Sequence, residues 1–156
     1  MLSLTRKADY ALAALAALAR RGRAIASARD LSDQLRIPPR ALTNVLNLMA
    51  QNGLVVSVRG AHGGYGLARP PAEITLTELF EAVEGPTRLA RCCPGGAEAR
   101  TKECELEGHC EIREPVYKLN FALRDLLSQV TVEDMAWNRV NVSVAGLATG
   151  SLAGGG

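Results

Sequence analysis

The chain has 156 residues, of which 47% are hydrophobic and 22% are charged. This length and composition suit one compact domain, or one small domain with an extension, and no apolar run is long enough to span a membrane. Asp9 and Tyr10 precede the alanine-leucine run near the start, so the sequence predicts no export signal and we expect a cytoplasmic protein.

The net charge of +2 hides an uneven distribution along the chain. Residues 1–70 contain ten Lys and Arg and three Asp, which gives a formal charge of +7. Residues 71–156 contain eight Lys and Arg and thirteen Asp and Glu, which gives a formal charge of −5. A basic half joined to an acidic half predicts a polyanion-binding module attached to a segment that does not bind polyanions.

The basic half begins with two predicted helices and a turn. Apolar residues recur at helical spacing over 4–19, and Thr5 is placed to cap that helix. Ser27–Asp30 resembles a capping box and begins a short second helix. Pro38 and Pro39 then predict a turn, because the residue before a proline avoids the helical region.

A third helix is predicted over 39–51, with Gly53 as its terminator. Its inner face is apolar and consists of Leu42, Val45, Leu46 and Met49. Its outer face carries Arg40, Thr43, Asn44 and Asn47, and we expect the first three to contact DNA. A short helix, a tight turn and a helix with a polar face are typical of the helix-turn-helix, in which the second helix enters the major groove.

A β-hairpin follows the third helix. Alternation predicts strands over 54–58 and 65–68, joined by a glycine-rich turn. We interpret the hairpin as a wing whose contacts to DNA come from Arg59, Gly60 and His62. An arginine gains most in the narrow minor groove, where the potential is most negative.

The acidic half predicts two more helices and a tail. A capping box at Thr75–Glu78 starts a fourth helix over 76–84. Apolar residues from Val116 to Val130 form one stripe on a helix of about four turns. The stripe could pack on its own domain, but we expect a dimer seam, because regulators of this architecture bind paired half-sites.

The predicted fold is therefore mainly α with a small β-wing. A winged helix-turn-helix domain is expected over 1–85, a cysteine-bearing loop over 86–112, a long dimerisation helix over 113–138 and a disordered tail over 139–156.

All four cysteines lie within nineteen residues, at Cys92, Cys93, Cys104 and Cys110. The segment is polar and lacks the apolar neighbours of a space-filling cysteine. In a reducing compartment such a cluster predicts a metal or iron-sulfur site, or a thiol redox switch. Zinc is an alternative, although structural zinc usually recruits closer cysteine pairs. No arrangement of catalytic side chains is recognisable, so we do not expect an enzyme.

Several motifs together resemble the Rrf2 family of bacterial winged-helix transcriptional regulators, which includes the IscR and NsrR types. They are LVVSVRGAHGGYGLARP, ITLTELFEAVEGP, the cysteine loop and ALRDLL, and the resemblance spans residues 4–135. It implies a homodimeric regulator, expected to be a repressor, that binds a palindromic operator. It also implies one iron-sulfur cluster per subunit, for which we expect 2Fe–2S in preference to 4Fe–4S. The wing looks most like those of regulators of iron-sulfur assembly operons.

The resemblance assigns Cys104 and Cys110 as the second and third cluster ligands. The first is Cys92 or Cys93, separated from Cys104 by eleven or ten residues where relatives have about five. Cys93 shortens this gap and is favoured for that reason. NsrR-type members use an aspartate of the first helix as a further ligand, and Asp9 occupies that place.

Other candidates for the fourth ligand are His109, Glu107, Glu105 and the remaining one of the two adjacent cysteines. IscR-type members instead use a histidine three residues after the last cysteine, where this chain has Arg113. A clusterless thiol-redox or cysteine-metabolism regulator, or a zinc-stabilised repressor, remains an alternative on the same fold.

Overall fold

The computed structural model of the protein describes residues 4–60, 63–90, 92–93 and 109–142. These residues form six α-helices, a short 3-10 helix and one two-stranded antiparallel sheet. In chain order they are α1 (Arg6–Arg20), α2 (Ala28–Leu35), α3 (Pro39–Gln51), β1 (Val55–Val58), β2 (Gly64–Leu67), the 3-10 helix (Pro71–Glu73), α4 (Leu76–Glu84), α5 (Arg113–Gln129) and α6 (Val132–Ala136). In this part of the chain, no helix combines the length and the apolar character needed to cross a bilayer.

Helix α1 lies at the centre of the core, and most of its buried side chains are alanines. The buried residues are Ala8, Ala11, Ala14, Leu15, Ala16, Ala17, Leu18 and Ala19. Such small side chains allow close approach, and α2, α3, α4, α6 and β2 all contact α1. Thr5 caps the helix as predicted, since its Oγ1 accepts the Ala8 N–H at 3.2 Å.

The α2–α3 pair forms the predicted helix-turn-helix. The turn passes through Arg36, whose φ of +55° lies in the left-handed region. Inside the turn the Ser32 hydroxyl, buried, donates to the Ile37 carbonyl at 2.7 Å. This bond helps to fix the turn between the two helices. Pro39 suits the first position of α3, because an N–H at that position would have no acceptor within the helix.

Strands β1 and β2 form the predicted hairpin with bounds that differ by one residue from those expected at 54–58 and 65–68. They pair antiparallel, with Val55 opposite Leu67 and Val58 opposite Gly64. Leu54 and Val55 are buried in the core at the base of the hairpin, whereas the rest of β1 is exposed. The hairpin therefore projects outward from the helices.

The region 113–138, predicted as one dimerisation helix, consists of two helices. Helix α5 ends at Gln129 because Val130 is extended, with φ −100° and ψ 128°. Val130 accepts the Leu76 N–H at 2.9 Å, which joins the end of α5 to the start of α4. The chain then turns back into α6, which packs on α1.

A capping box begins α6. The side-chain hydroxyl and backbone N–H of Thr131 both donate to Asp134, at 2.6 and 2.9 Å, and these bonds hold the pKa of the Asp134 carboxyl below its usual value. Of the tail predicted over 139–156, residues 139–142 form neither helix nor strand, and the remainder lies outside the described residues.

Candidate functional site

Helix α3 presents a polar outer face. Arg40 and Asn44 are exposed and Thr43 is half-buried, while the apolar inner face is 0–2% exposed. Positions three and four residues apart lie on the same side of a helix. The structure therefore brings the three residues predicted on this helix to one accessible surface.

Tyr65 ties the wing to α3, a role that the sequence reasoning did not assign. Its hydroxyl donates to Asn47 Oδ1 at 3.0 Å. Its backbone N–H and carbonyl both bond to Ala26, at 2.8 and 2.9 Å, so the hairpin gains a third pairing segment. A single aromatic residue in a glycine-rich strand was the only signal of this contact.

The tip of the wing carries Arg59, which is exposed directly after β1. Gly60 follows with a φ of +117°, a conformation that favours glycine, and its carbonyl accepts the Gly63 N–H at 2.9 Å. Ala61 and His62 lie outside the described residues, so the prediction for His62 remains a prediction.

Two wing glycines are also required by close packing of backbone segments. A Cβ on Gly64 would lie 2.3 Å from the Ala26 carbonyl oxygen, and one on Gly63 would lie 2.3 Å from that of Val58. Part of the glycine-rich motif is thus explained by the hairpin itself, and not by its approach to DNA.

The two adjacent cysteines have different surroundings. Cys93 is fully buried, and its Sγ lies 3.9 Å from the carbonyl oxygen of Val116 in α5. Cys92 is half-buried, and neither thiol is in a disulfide. Sequence reasoning slightly favoured Cys93 as a ligand, but burial leaves Cys92 as the more accessible of the two.

Cys110 lies at the opposite end of the loop, directly before α5. It is half-buried, and its carbonyl accepts the Arg113 N–H at 3.3 Å. Since Val116 lies in the first turn of α5, Cys93 and Cys110 both lie against the N-terminal end of the same helix.

Of the remaining predicted ligands, two are described by the structure and three are not. Asp9 is exposed in the first turn of α1, and His109 is exposed beside Cys110. Cys104, Glu105 and Glu107 lie outside the described residues. Within the described ranges no group of three or more His, Cys, Asp or Glu side chains could hold a metal ion.

The helix-turn-helix and the wing together define a winged-helix DNA-binding protein. The Rrf2 family, described as an iron-dependent transcriptional regulator, matches residues 4–138. The chain therefore belongs to the Rrf2 family, and it is a DNA-binding transcriptional regulator rather than an enzyme.

Relatives and solved structures agree with this assignment. The HTH-type transcriptional regulator NsrR of Shouchella clausii is 29% identical over 138 residues, covering 88% of this chain and 90% of that protein. CymR, the global cysteine regulator of B. subtilis, matches with a TM-score of 0.68 and 26% identity, covering 90% of this chain and 100% of its own. IscR of T. potens shares the fold, with a TM-score of 0.65 and 24% identity. The match covers 96% of this chain and 94% of the IscR chain.

The packing at Gly64 generates a first prediction. Gly64→Ala should destabilise the protein by about 1–3 kcal/mol, because the added Cβ forces β2 away from the Ala26 backbone. Denaturant unfolding measures the loss. The control is Ser57→Ala on exposed β1, which should stay within about 0.5 kcal/mol of wild type. Equal stability of the two variants would contradict the close approach.

Proposed function

We propose that this chain is a homodimeric repressor that acts in the cytoplasm and senses iron-sulfur status, oxidative stress or nitric oxide through an iron-sulfur cluster. The observation that carries the proposal is that Cys110 and the adjacent pair Cys92 and Cys93 come from different parts of the cysteine-bearing loop to the N-terminal end of α5, since Cys93 Sγ lies 3.9 Å from the Val116 carbonyl oxygen and Cys110 directly precedes the helix. Family membership, with its iron-dependent description, also supports it.

Recognition of DNA is assigned to α3 and the wing. Arg40, Thr43 and Asn44 are proposed to read base edges in the major groove, and Arg59 to enter the adjacent minor groove beside Gly60. The Tyr65–Asn47 hydrogen bond supports this assignment, because it fixes the wing relative to the recognition helix. His62 is retained as a further DNA contact on the basis of its place in the wing motif.

Dimerisation is assigned to α5. Its one buried residue is the polar Asn120, whereas Leu119 is 57% exposed and Ile112, just before the helix, is 65% exposed. A neighbouring groove of about 450 Å³ is lined in part by Leu4, Phe80, Leu123 and Leu127. A 17-residue helix that buries so little of its own apolar surface is best explained by a second copy, which would also pair two recognition helices for a palindromic operator.

The cluster is assigned to Cys104, Cys110 and one of the adjacent cysteines. Of the adjacent pair we favour Cys92, because it is half-buried whereas Cys93 is fully buried. Thiolates are the usual ligands of such clusters, and the positive end of a helix dipole beside Cys110 favours negatively charged sulfur. When bound, the cluster would supply a group that reacts with oxygen or nitric oxide. Regulation of iron-sulfur assembly operons is the role the wing resemblance supports.

Asp9 is proposed as the fourth ligand, supplied by the partner subunit. Its exposure on α1 supports a contact across the dimer, and a carboxylate oxygen would be more easily displaced than a thiolate. The plainer role for Asp9 is interaction with the helix dipole in the first turn of α1.

A clusterless thiol regulator is the second candidate. The structural match to CymR, a cysteine regulator, favours it. In that case the thiols would respond by oxidation and not by loss of a cluster. A zinc-stabilised repressor would use the same cysteines without any redox response.

The DNA contacts generate a second prediction. Arg59→Ala should weaken binding to operators with A·T-rich flanks. It should also reduce the slope of log affinity against log salt concentration by about one, the contribution of one phosphate contact. Changes at Thr43 or Asn44 should instead alter base preference, by roughly 1–3 kcal/mol for a bidentate contact. Exposed Arg139, replaced by alanine, controls for the loss of one charge. Equal affinity and salt slope in Arg59→Ala and wild type would exclude the wing contact.

The cysteines generate a third prediction. Replacement of Cys104, Cys110 or Cys92 by alanine should abolish bound iron and visible absorbance, because each removes a ligand, while the protein stays folded. Cys93→Ala should retain the cluster and lose stability instead. Iron analysis and circular dichroism measure the two effects. Wild-type iron content in Cys104→Ala would refute the ligand set. Loss of iron in Cys93→Ala but not in Cys92→Ala would return the first ligand to Cys93.

Asp9 generates a fourth prediction. If Asp9 is a ligand, Asp9→Ala should shift the cluster spectrum and shorten its lifetime in oxygen or nitric oxide. Asp30→Ala, which removes the corresponding first-turn carboxylate of α2, should leave both unchanged. The free energy of unfolding should fall by about 0.3–1 kcal/mol in both variants, because each loses a carboxylate that interacts favourably with a helix dipole. An unaltered spectrum and lifetime in Asp9→Ala would leave only the dipole role and direct attention to His109, Glu105 and Glu107.

A further inference from the structure

The segment that leads into the first cysteines runs along one face of α5. We define residues 87–90 and 92–93 as the strap. Arg124 Nη1 donates to the Thr87 carbonyl at 3.4 Å, the Leu89 N–H donates to Asn120 Oδ1 at 2.9 Å, and Cys93 Sγ lies 3.9 Å from the Val116 carbonyl. The strap therefore runs antiparallel to the helix.

The three helix residues are spaced four apart, so they share one face of α5. From Val116 to Arg124 the helix rises about 12 Å, at 1.5 Å per residue. Fully extended, the chain from Thr87 to Cys93 would span about 20 Å. The extended chain would therefore be longer than the stretch of helix that it follows. A turn shortens it, in which the Cys93 N–H donates to the Ala90 carbonyl at 2.9 Å. The turn brings the adjacent cysteines to the N-terminal end of α5.

Asn120 holds the middle of the strap. It is 2% exposed and is the one buried residue of α5. Its amide oxygen accepts the part-buried Leu89 N–H, and no buried side-chain nitrogen or oxygen among the described residues lacks a partner. An aliphatic side chain at this position would leave the Leu89 N–H without its acceptor.

Arg124 fixes the other end of the strap to two helices. Besides the Thr87 carbonyl, its Nη1 contacts Glu81 of α4 at 2.6 Å. Its own carbonyl accepts the Thr77 hydroxyl at 3.3 Å. Helices α4 and α5 and the start of the strap are therefore joined at one residue, and Asn120 holds the strap between this junction and the cysteines.

We propose that Asn120 is a positioning residue that locks the strap to α5 and thereby sets where the first cysteine lies relative to Cys110. A displacement of Cys92 or Cys93 is transmitted along the strap to the middle of α5 through the Leu89–Asn120 bond. The bond can be tested without any cofactor, whereas its importance for sensing rests on the function proposed above.

The test uses the full-length protein in its reduced, cluster-free state. In Asn120→Leu, hydrogen exchange of the Leu89 amide should accelerate on the order of tenfold or more, because its acceptor is gone. Alkylation of the Cys93 thiol, measured in a Cys92→Ser background to separate the neighbours, should accelerate similarly. The matched control is Lys118→Ala on the exposed face of α5, which should change neither rate.

A conservative variant separates positioning from general destabilisation. Asn120→Asp keeps an acceptor oxygen at the same reach, so Leu89 should remain protected and Cys93 slow to react. Amides of α1 and α3 report global unfolding and should exchange at wild-type rates in all three variants. Wild-type rates at Leu89 and Cys93 in Asn120→Leu, or equal acceleration at every amide, would overturn the proposal.

The same variants separate this proposal from the proposed function. After anaerobic reconstitution with iron and sulfide, Asn120→Leu should lose its cluster faster than Lys118→Ala. If wild type takes up no iron while the exchange and alkylation rates change as expected, the cluster is refuted and the strap stands. If wild type takes up iron but the rates do not change, the strap is refuted and the cluster stands.

Discussion

The alanine content of α1 is the constraint on which the rest of the structure depends. Alanine side chains cover most of its buried surface, so four helices and one strand can pack against a single helix. A larger side chain at Ala11 or Ala14, both 0% exposed, would separate these elements. Because α3, β2 and α6 share this support, the DNA-reading elements and the C-terminal part of the chain are fixed relative to each other.

The two ends of the cysteine-bearing loop are attached to helices that contact each other. The loop leaves from the end of α4 and returns at the start of α5, and these helices are joined by the Arg124–Glu81 ion pair. Bonds from Val130 to Leu76 and from Val132 to Ile74 close the far end of α5 onto the winged-helix domain. Helix α5, which carries the proposed dimer surface, is therefore connected at one end to the cysteines and at the other to the winged-helix domain.

Local patterns predicted the helices and the hairpin well, because capping residues and apolar spacing act within a few residues. Thr5, Ser27 and Thr75 all cap the helices assigned to them. The break after Gln129 was missed because Val130 continues the apolar stripe and its extended conformation depends on a distant partner, Leu76. The Tyr65–Asn47 and Leu89–Asn120 bonds were missed for the same reason, since they join residues 18 and 31 positions apart. Motif resemblance supplied the family, but not the difference in burial between Cys92 and Cys93.

The most direct test of the account is the operator affinity of wild-type protein purified without oxygen, measured alongside its absorption spectrum, iron and acid-labile sulfide. The account predicts visible absorbance, iron and sulfide in equal amounts, and an operator affinity that changes when the cluster is removed. A colourless protein without iron or sulfide, whose operator affinity responds only to thiol oxidation, would contradict it.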